Sequence, residues 1–199
     1  MTSATRLVLL DSGGANLGSV QAAFERLGVI APVSSDWNAI RAATHVVLPG
    51  VGAAATAMAK LRSNGLAALI PKLTQPLIGI CIGMQLLYER SEESDTECLG
   101  LLPGSVRKLP ASTGIRVPHM GWNRLEVQSV HPLVAGLDRQ WVYFVHSYAA
   151  EVSPQTLATC THGRPFAAVV ARDHVMGAQF HPERSSVAGA RLLQNFLAL

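Results

Sequence analysis

The sequence predicts an α/β fold: an open, mostly parallel sheet flanked by helices, with an added region of mixed and antiparallel strands. Three stretches carry this expectation. Arg6–Leu10 is a β-rich apolar run ending at Asp11, followed by the loop SGGAN and a helical stretch from Leu17 to Leu27 closed by Gly28. Strand, glycine loop and helix form the opening unit of an open α/β sheet. THVVLPGVG, from Thr44 to Gly52, makes the same move into an alanine-rich helix over 53–62, and PLIGICIGMQLLYER, from Pro76 to Arg90, makes it again.

The chain has 199 residues, which suits a single domain over 1–199. Half of it is hydrophobic (49%), only 15% is charged, and the mean hydropathy is +0.26. No apolar run approaches the ~20 residues that cross a membrane. The formal net charge is +3 with the arginines and lysines scattered, which leaves no nucleic-acid footprint. The opening MTSATRLVLLD lacks the apolar region and cleavage site of a signal peptide. Cys81, Cys98 and Cys160 do not make a disulfide framework. A reducing, cytoplasmic location is expected.

In chain order, Gly13, Gly14 and Gly18 fit neither GxGxxG nor GxxxxGK[ST], so the first loop reads as a tight turn rather than a nucleotide cradle. A second strand is expected near Val29–Ser34 and a third at His45–Leu48. PLIGI is a strand of the kind buried on both faces, and helical spacing runs from Gly83 to Arg90. SEESDTECLG reads as an acidic loop. From Leu101 to Asn123, Pro103, Pro110, Gly114, Pro118 and Gly121 break the pattern into short strands and loops laid over the sheet. Trp141–Tyr148 and Phe166–Ala171 are β-prone; Arg172-Asp173-His174 turns into a strand over Val175–Phe180, and a final helix covers Ser186–Leu199.

Cys81 sits where the PLIGI strand meets its helix, with Gly79 and Gly83 two residues away on either side. That is the nucleophile-elbow arrangement with sulfur in place of a serine oxygen, and a thiol at a helix N-terminus favours its thiolate. A small buried core residue is the plainer reading of a free cysteine. Functional groups of open α/β sheets gather at the carboxyl ends of strands. His181 ends the last strand, and Glu183 follows two residues on, so Cys81, His181 and Glu183 make a nucleophile, base and orienting group for acyl transfer. Backbone N–H groups of Ile82 and of Val51 or Gly52, in the Pro49-Gly50-Val51-Gly52 turn, supply the expected oxyanion hole; a plain βα turn is the alternative. The other histidines show no metal-ligand spacing, and the chemistry calls for no cofactor.

PGVG, GICIGMQ and HPE, in this order and spacing, resemble the class I (triad-type) glutamine amidotransferases over the whole chain. LDSGGANLGS, VPHMGWN and YFVHSY are similar to the branch that serves histidine biosynthesis. The resemblance implies a flavodoxin-like sheet and hydrolysis of L-glutamine to glutamate and ammonia through a thioester on Cys81. It implies substrate binding by Gly50, Gly52, Gln85 and Glu93, with Glu92 adjacent to the last, and by the backbone of His146, Ser147 and Tyr148. Ser147 and Tyr148 also read as ordinary strand residues. It implies a heterodimer with a (βα)8-barrel cyclase that uses the ammonia to make imidazole glycerol phosphate and AICAR, with Asn16, Met120, Trp122 and Arg184 near the interface. Trp122 reads equally as core. Arg184 stands where the family often has Lys, and Ile82 where it often has Leu. Another amidotransferase branch, or a catalytically silent regulatory subunit, would share the elbow.

Overall fold

The computed structural model describes residues 5–13, 17–50, 52–111 and 113–199. The first half alternates strand and helix: β1 (Leu7–Leu10), α1 (Leu17–Glu25), β2 (Val33–Ser34), α2 (Trp37–Ala42), β3 (His45–Leu48), α3 (Ala54–Ser63), α4 (Leu66–Leu69), β4 (Leu77–Ile80) and α5 (Ile82–Gln85). Short strands follow: β5 (Arg90–Ser91), β6 (Thr96–Glu97), β7 (Ser105–Lys108), β8 (His119–Arg124), β9 (Glu126–Val127), β10 (Trp141–His146) and β11 (Tyr148–Ala150). The chain closes with β12 (Thr156–His162), β13 (Arg164–Arg172), β14 (Val175–Ala178) and α6 (Ser186–Leu197).

The main sheet runs β2-β1-β3-β4-β14-β13-β12-β9. Its first five strands are parallel and its last three antiparallel. β1, β3, β4 and β14 are buried at every position, as strands covered on both faces must be. A β8–β10 ribbon and a small sheet ordered β11-β7-β5-β6 supply the added strand region. Three neighbouring parallel strands, β3, β4 and β14, therefore end side by side, carrying the PGVG turn, Cys81 and the His-Pro-Glu segment.

α6 fixes the last of these. It buries Ala188, Gly189, Leu192, Leu193 and Phe196, an i, i+4, i+8 stripe with flanking positions. A Cβ on Gly189 would lie 1.9 Å from the Pro182 carbonyl oxygen, so only glycine lets the helix rest on the His-Pro-Glu turn.

Several boundaries depart from expectation. The helix after Cys81 ends at Gln85 rather than Arg90. The carbonyls that would continue it are taken elsewhere: Leu86 accepts from Leu99 N–H, Leu87 from Leu101 and Leu102, and Tyr88 from Gly100. SEESDTECLG is not a bare loop but contains β6 and the end of β5. β2 occupies only the last two residues of Val29–Ser34. α2 and β12 were not expected. α2 has only six residues, too few for an apolar period, and starts where the Asp36 side chain accepts from Asn38 N–H at 2.8 Å. TLATCTH, the β12 segment, hides its burial behind small and hydroxyl side chains.

Candidate active site

Cys81 leaves β4 with φ 54° and ψ −112°, a conformation that costs an L-residue about 1–3 kcal/mol and persists only when its surroundings enforce it. The neighbours do so. A Cβ on Gly79 would lie 2.5 Å from the Gly83 carbonyl oxygen, and one on Gly83 would lie 1.8 Å from the Leu48 carbonyl oxygen at the end of β3. A Cβ on Gly50 would meet the Gly83 backbone nitrogen at 2.7 Å. The elbow is thus wedged against the PGVG turn with no room for side chains. Cys81 N–H donates to Ala178 O at 2.8 Å, tying the elbow to β14.

The segment after β14 runs beside it. His181 Nδ1 lies 2.8 Å from Glu183 Oε1, with both side chains buried. The carboxylate accepts, so Nδ1 carries the hydrogen and Nε2 is left for the cavity. Nε2 is buried and makes no well-aligned hydrogen bond of its own. Burial pulls the His181 pKa down, but hydrogen bonding and charge from Cys81 and Glu183 outweigh it and raise the pKa to about 10. The imidazole is held as a cation at neutral pH. Ser185 Oγ donates to His181 O at 2.6 Å and accepts from Tyr143 N–H at 2.9 Å, while His181 N–H donates to Tyr143 O at 2.9 Å. The triad turn is therefore pinned to β10.

Cys81 and His181 border a cavity of about 330 Å³, room for a small amino acid. Gly52, Ile82, Gln85 and Glu93 line one side; Pro118 and 145–148 line the other. Gln85 N–H donates to Cys81 O, placing its side chain one turn above the thiol. Its amide nitrogen donates to Tyr148 O at 2.8 Å and to Gln179 Oε1 at 3.0 Å, while its Oε1 is buried without a partner. Glu93 Oε2 accepts from Ala54 N–H, opening α3, at 2.7 Å. The adjacent Glu92 lies outside the cavity lining and accepts from Lys108 N–H at 2.8 Å. The carbonyls of Ser147 and Tyr148 are committed to Leu109 N–H and to Gln85.

The second wall carries a different set of imidazoles. His146 Nδ1 donates to Tyr148 O at 2.8 Å, so its Nε2 accepts from His119 Nδ1 at 3.0 Å. His119 stacks on His162 with ring centroids 4.1 Å apart, and Asn123 Nδ2 lies 3.2 Å from its Nε2. Burial lowers His146 to about 3; it also lowers His119, with help from His162, to about 4. Both are neutral at pH 7. Among the described residues no group of three or more His, Cys, Asp or Glu side chains is arranged to hold a metal.

Among the expected interface residues, Met120 and Trp122 alternate with the inward His119 and are 64% and 51% exposed, which excludes a core role for Trp122. Arg184 lies over the Tyr143 ring, 5.9 Å from its centroid, and Trp122 meets the same ring edge-on at 6.0 Å. Asn16 and Val51 lie outside the described residues. Gly50 supports the elbow without lining the cavity, and Gly52 lines it with φ +93°. Gln179, Pro118 and Val145 were not expected at the site. The signal for Gln179 was available: it is the polar residue in the apolar run VMGAQF, two residues before His181 and so on the same side of the strand.

Residues 8–199 match the family described as glutamine amidotransferase class-I. The chain is 57% identical over 196 residues, 98% of both chains, to the imidazole glycerol phosphate synthase subunit HisH of Xanthomonas oryzae pv. oryzae. It is 52% identical over the same share to the protein of that name from Xylella fastidiosa. A crystal structure of a glutamine amidotransferase superposes with a TM-score of 0.74 at 21% identity, covering 96% of this chain and 97% of that one. Another, from Thermotoga maritima, gives a TM-score of 0.65 at 18% identity, covering 98% and 83%. These two describe the fold.

Proposed function

The chain belongs to the class I glutamine amidotransferase family, and from that premise we propose that it is the glutaminase subunit of an imidazole glycerol phosphate synthase, one amidotransferase domain over 1–199 acting in histidine biosynthesis. The observation that carries the reading is the meeting of Cys81 with the Glu183-held His181 at one end of a cavity sized for glutamine.

The site's chemistry follows from its charges. The Cys81 thiolate adds to the side-chain amide carbon of glutamine, and the carbonyl oxygen takes the negative charge. N–H groups of Ile82 and of Val51 or Gly52 hold that oxyanion. The His181 cation gives its proton to the amide nitrogen, the C–N bond breaks, ammonia leaves, and a γ-glutamyl thioester remains. His181, now neutral, takes a proton from water as the water attacks the thioester; glutamate departs and the thiolate–imidazolium pair returns. Glu183 keeps the imidazole turned so that Nε2 faces both leaving group and water. Glu93 and the unpartnered Gln85 Oε1 offer acceptors to the substrate's α-ammonium, which would otherwise be buried unpaired.

The exposed Met120, Trp122 and Arg184 are the docking surface for a (βα)8-barrel cyclase, which receives the ammonia and releases imidazole glycerol phosphate and AICAR. No helix among the described residues is long and apolar enough to cross a membrane, and the reading puts both subunits in the cytoplasm. The experiment is glutamate release by the purified chain, alone and mixed with a histidine-pathway cyclase and its ribulosyl ligand, with Cys81→Ala as control. Slow hydrolysis that rises with cyclase and ligand, and vanishes in the variant, supports the reading. A folded chain that releases no glutamate under any condition overturns it.

A further inference from the structure

Gln179 is fully buried just past the end of β14, and its side chain lies within hydrogen-bond reach of Gln85 and Cys81. One backbone carbonyl fixes how it points. Tyr148 O can only accept, so the Gln85 atom 2.8 Å from it is the amide nitrogen. That nitrogen is also 3.0 Å from the Gln179 amide, which must therefore turn its oxygen toward Gln85. The Gln179 nitrogen is left on the other side, 3.8 Å from Cys81 Sγ. The direction of the N–H groups is set along the whole path, from Tyr148 to sulfur.

Such an amide is an awkward choice for a packed strand end. A leucine there would need no partners, whereas a buried amide that loses them costs about 1–3 kcal/mol. What the amide adds is an N–H donor aimed at sulfur, and a charged acceptor gains about twice as much from a hydrogen bond as a neutral one. We propose that Gln179 is a positioning residue of the glutamine hydrolysis: its amide donates to Cys81, holding the nucleophile as thiolate in one orientation, and links that donor to the substrate-facing amide of Gln85. The proposal rests on the glutaminase reading for its role, but the hydrogen bond it assigns does not. The free Gln85 Oε1 adds a consequence. A substrate donor there polarises the Gln85 amide and strengthens each bond down to sulfur.

The test is alkylation of Cys81 by iodoacetamide as a function of pH on the full chain, with Cys81→Ala subtracted for Cys98 and Cys160. The comparison is wild type against Gln179→Glu and Gln179→Leu, with glutamine kinetics in parallel. Gln179→Glu keeps the volume and still accepts from Gln85, but offers sulfur no N–H. Its alkylation midpoint is expected to move up by about one pH unit or more. Its kcat should fall about tenfold with KM changed by less than about twofold. Gln179→Leu should move the midpoint the same way and raise KM as well, because Gln85 loses a partner. Gln179→Glu also brings a carboxylate near sulfur, which raises the midpoint by charge alone, so the uncharged Gln179→Leu discriminates: a purely structural role would lower its melting temperature and leave its midpoint in place. Should Gln179→Leu not fold, the uncharged Gln179→Met, close to glutamine in length, decides: a profile superimposed on wild type overturns the proposal. Alkylation needs no glutamine, so a shifted profile in a chain that fails to hydrolyse glutamine would leave the hydrogen bond standing and remove the glutaminase reading.

Discussion

His181 and His146 border the same cavity and are both buried, yet their environments push them in opposite directions. On the strand-end wall, His181 has a carboxylate on one nitrogen and a thiol facing the other, and it is raised to about 10. On the ribbon wall, His146 has a carbonyl on one nitrogen and another imidazole on the other, and it is lowered to about 3. Burial alone disfavours the cation in both places. The difference lies in partners: Glu183 and Cys81 outweigh burial at His181, whereas at His146 the Tyr148 carbonyl favours the cation too weakly to offset burial and the His119 ring opposes it. One wall holds a charged imidazole and the other neutral ones.

The largest effect comes from breaking the compensated wall. Cys81→Ala should abolish glutamine hydrolysis. Glu183→Gln should reduce it by about 10³-fold, since the imidazole loses both its tautomer lock and the charge that keeps it protonated. The pH–rate profile of Glu183→Gln should then lose its alkaline activity at lower pH than wild type, because His181 gives up its proton earlier. An unshifted alkaline limb would mean that Glu183 does not hold the charge.

Gly83→Ala attacks the scaffold of the same wall. The Leu48 carbonyl occupies the space a Cβ needs, so β3 and the elbow must separate. The expected cost is about 3 kcal/mol or more, read as a lowered denaturant midpoint with little soluble native protein. A smaller change tests the outer face of the ribbon wall. Trp122→Ala should weaken docking to the cyclase about 10- to 100-fold, seen as a higher cyclase concentration needed for half-maximal glutamate release. A superimposed titration would place the partner elsewhere.

The two walls also make opposite contributions to stability with pH. His181 is raised above its unfolded value of 6.5, so its contribution is complete below 6.5 and is lost as pH climbs toward 10. His119 and His146 are lowered, so theirs is present above 6.5 and is lost as pH falls toward 4 and 3. Melting temperature followed from pH 6.5 to 4, where the His181 contribution is constant, should decline, and His119→Gln should flatten the decline by about 2–4 °C. A variant with the wild-type slope would show that these rings do not resist protonation.

How much of this was readable in the sequence divides along the same line. The strand-end wall is built from contiguous signals: PLIGI, the glycines around Cys81, and HPE each report local geometry, and the parallel topology brings their ends together. The ribbon wall depends on the antiparallel pairing of β8 with β10, which sets His146 opposite His119 across 27 residues of sequence. Nothing local to VPHMGWN announces that contact. The helix after Cys81 was read too long because apolar spacing cannot tell that the carbonyls of Leu86 to Tyr88 are claimed by 99–102. Glu93 and Glu92 were equivalent in sequence; a 3₁₀ turn over Glu93–Asp95 separates them, placing Glu93 at the cavity.

The most direct test of the opposition between the walls is an NMR titration of the histidine ring nitrogens in the resting chain, assigned through His181→Gln, His146→Gln and His119→Gln. The expected result is a His181 signal that remains that of a cation from neutral pH until well above pH 8, with His146 and His119 neutral down to at least pH 5. A His181 that titrates near 6.5 in the folded chain, alongside the other two, would contradict the account, because the site would then hold no imidazolium to protonate the departing ammonia.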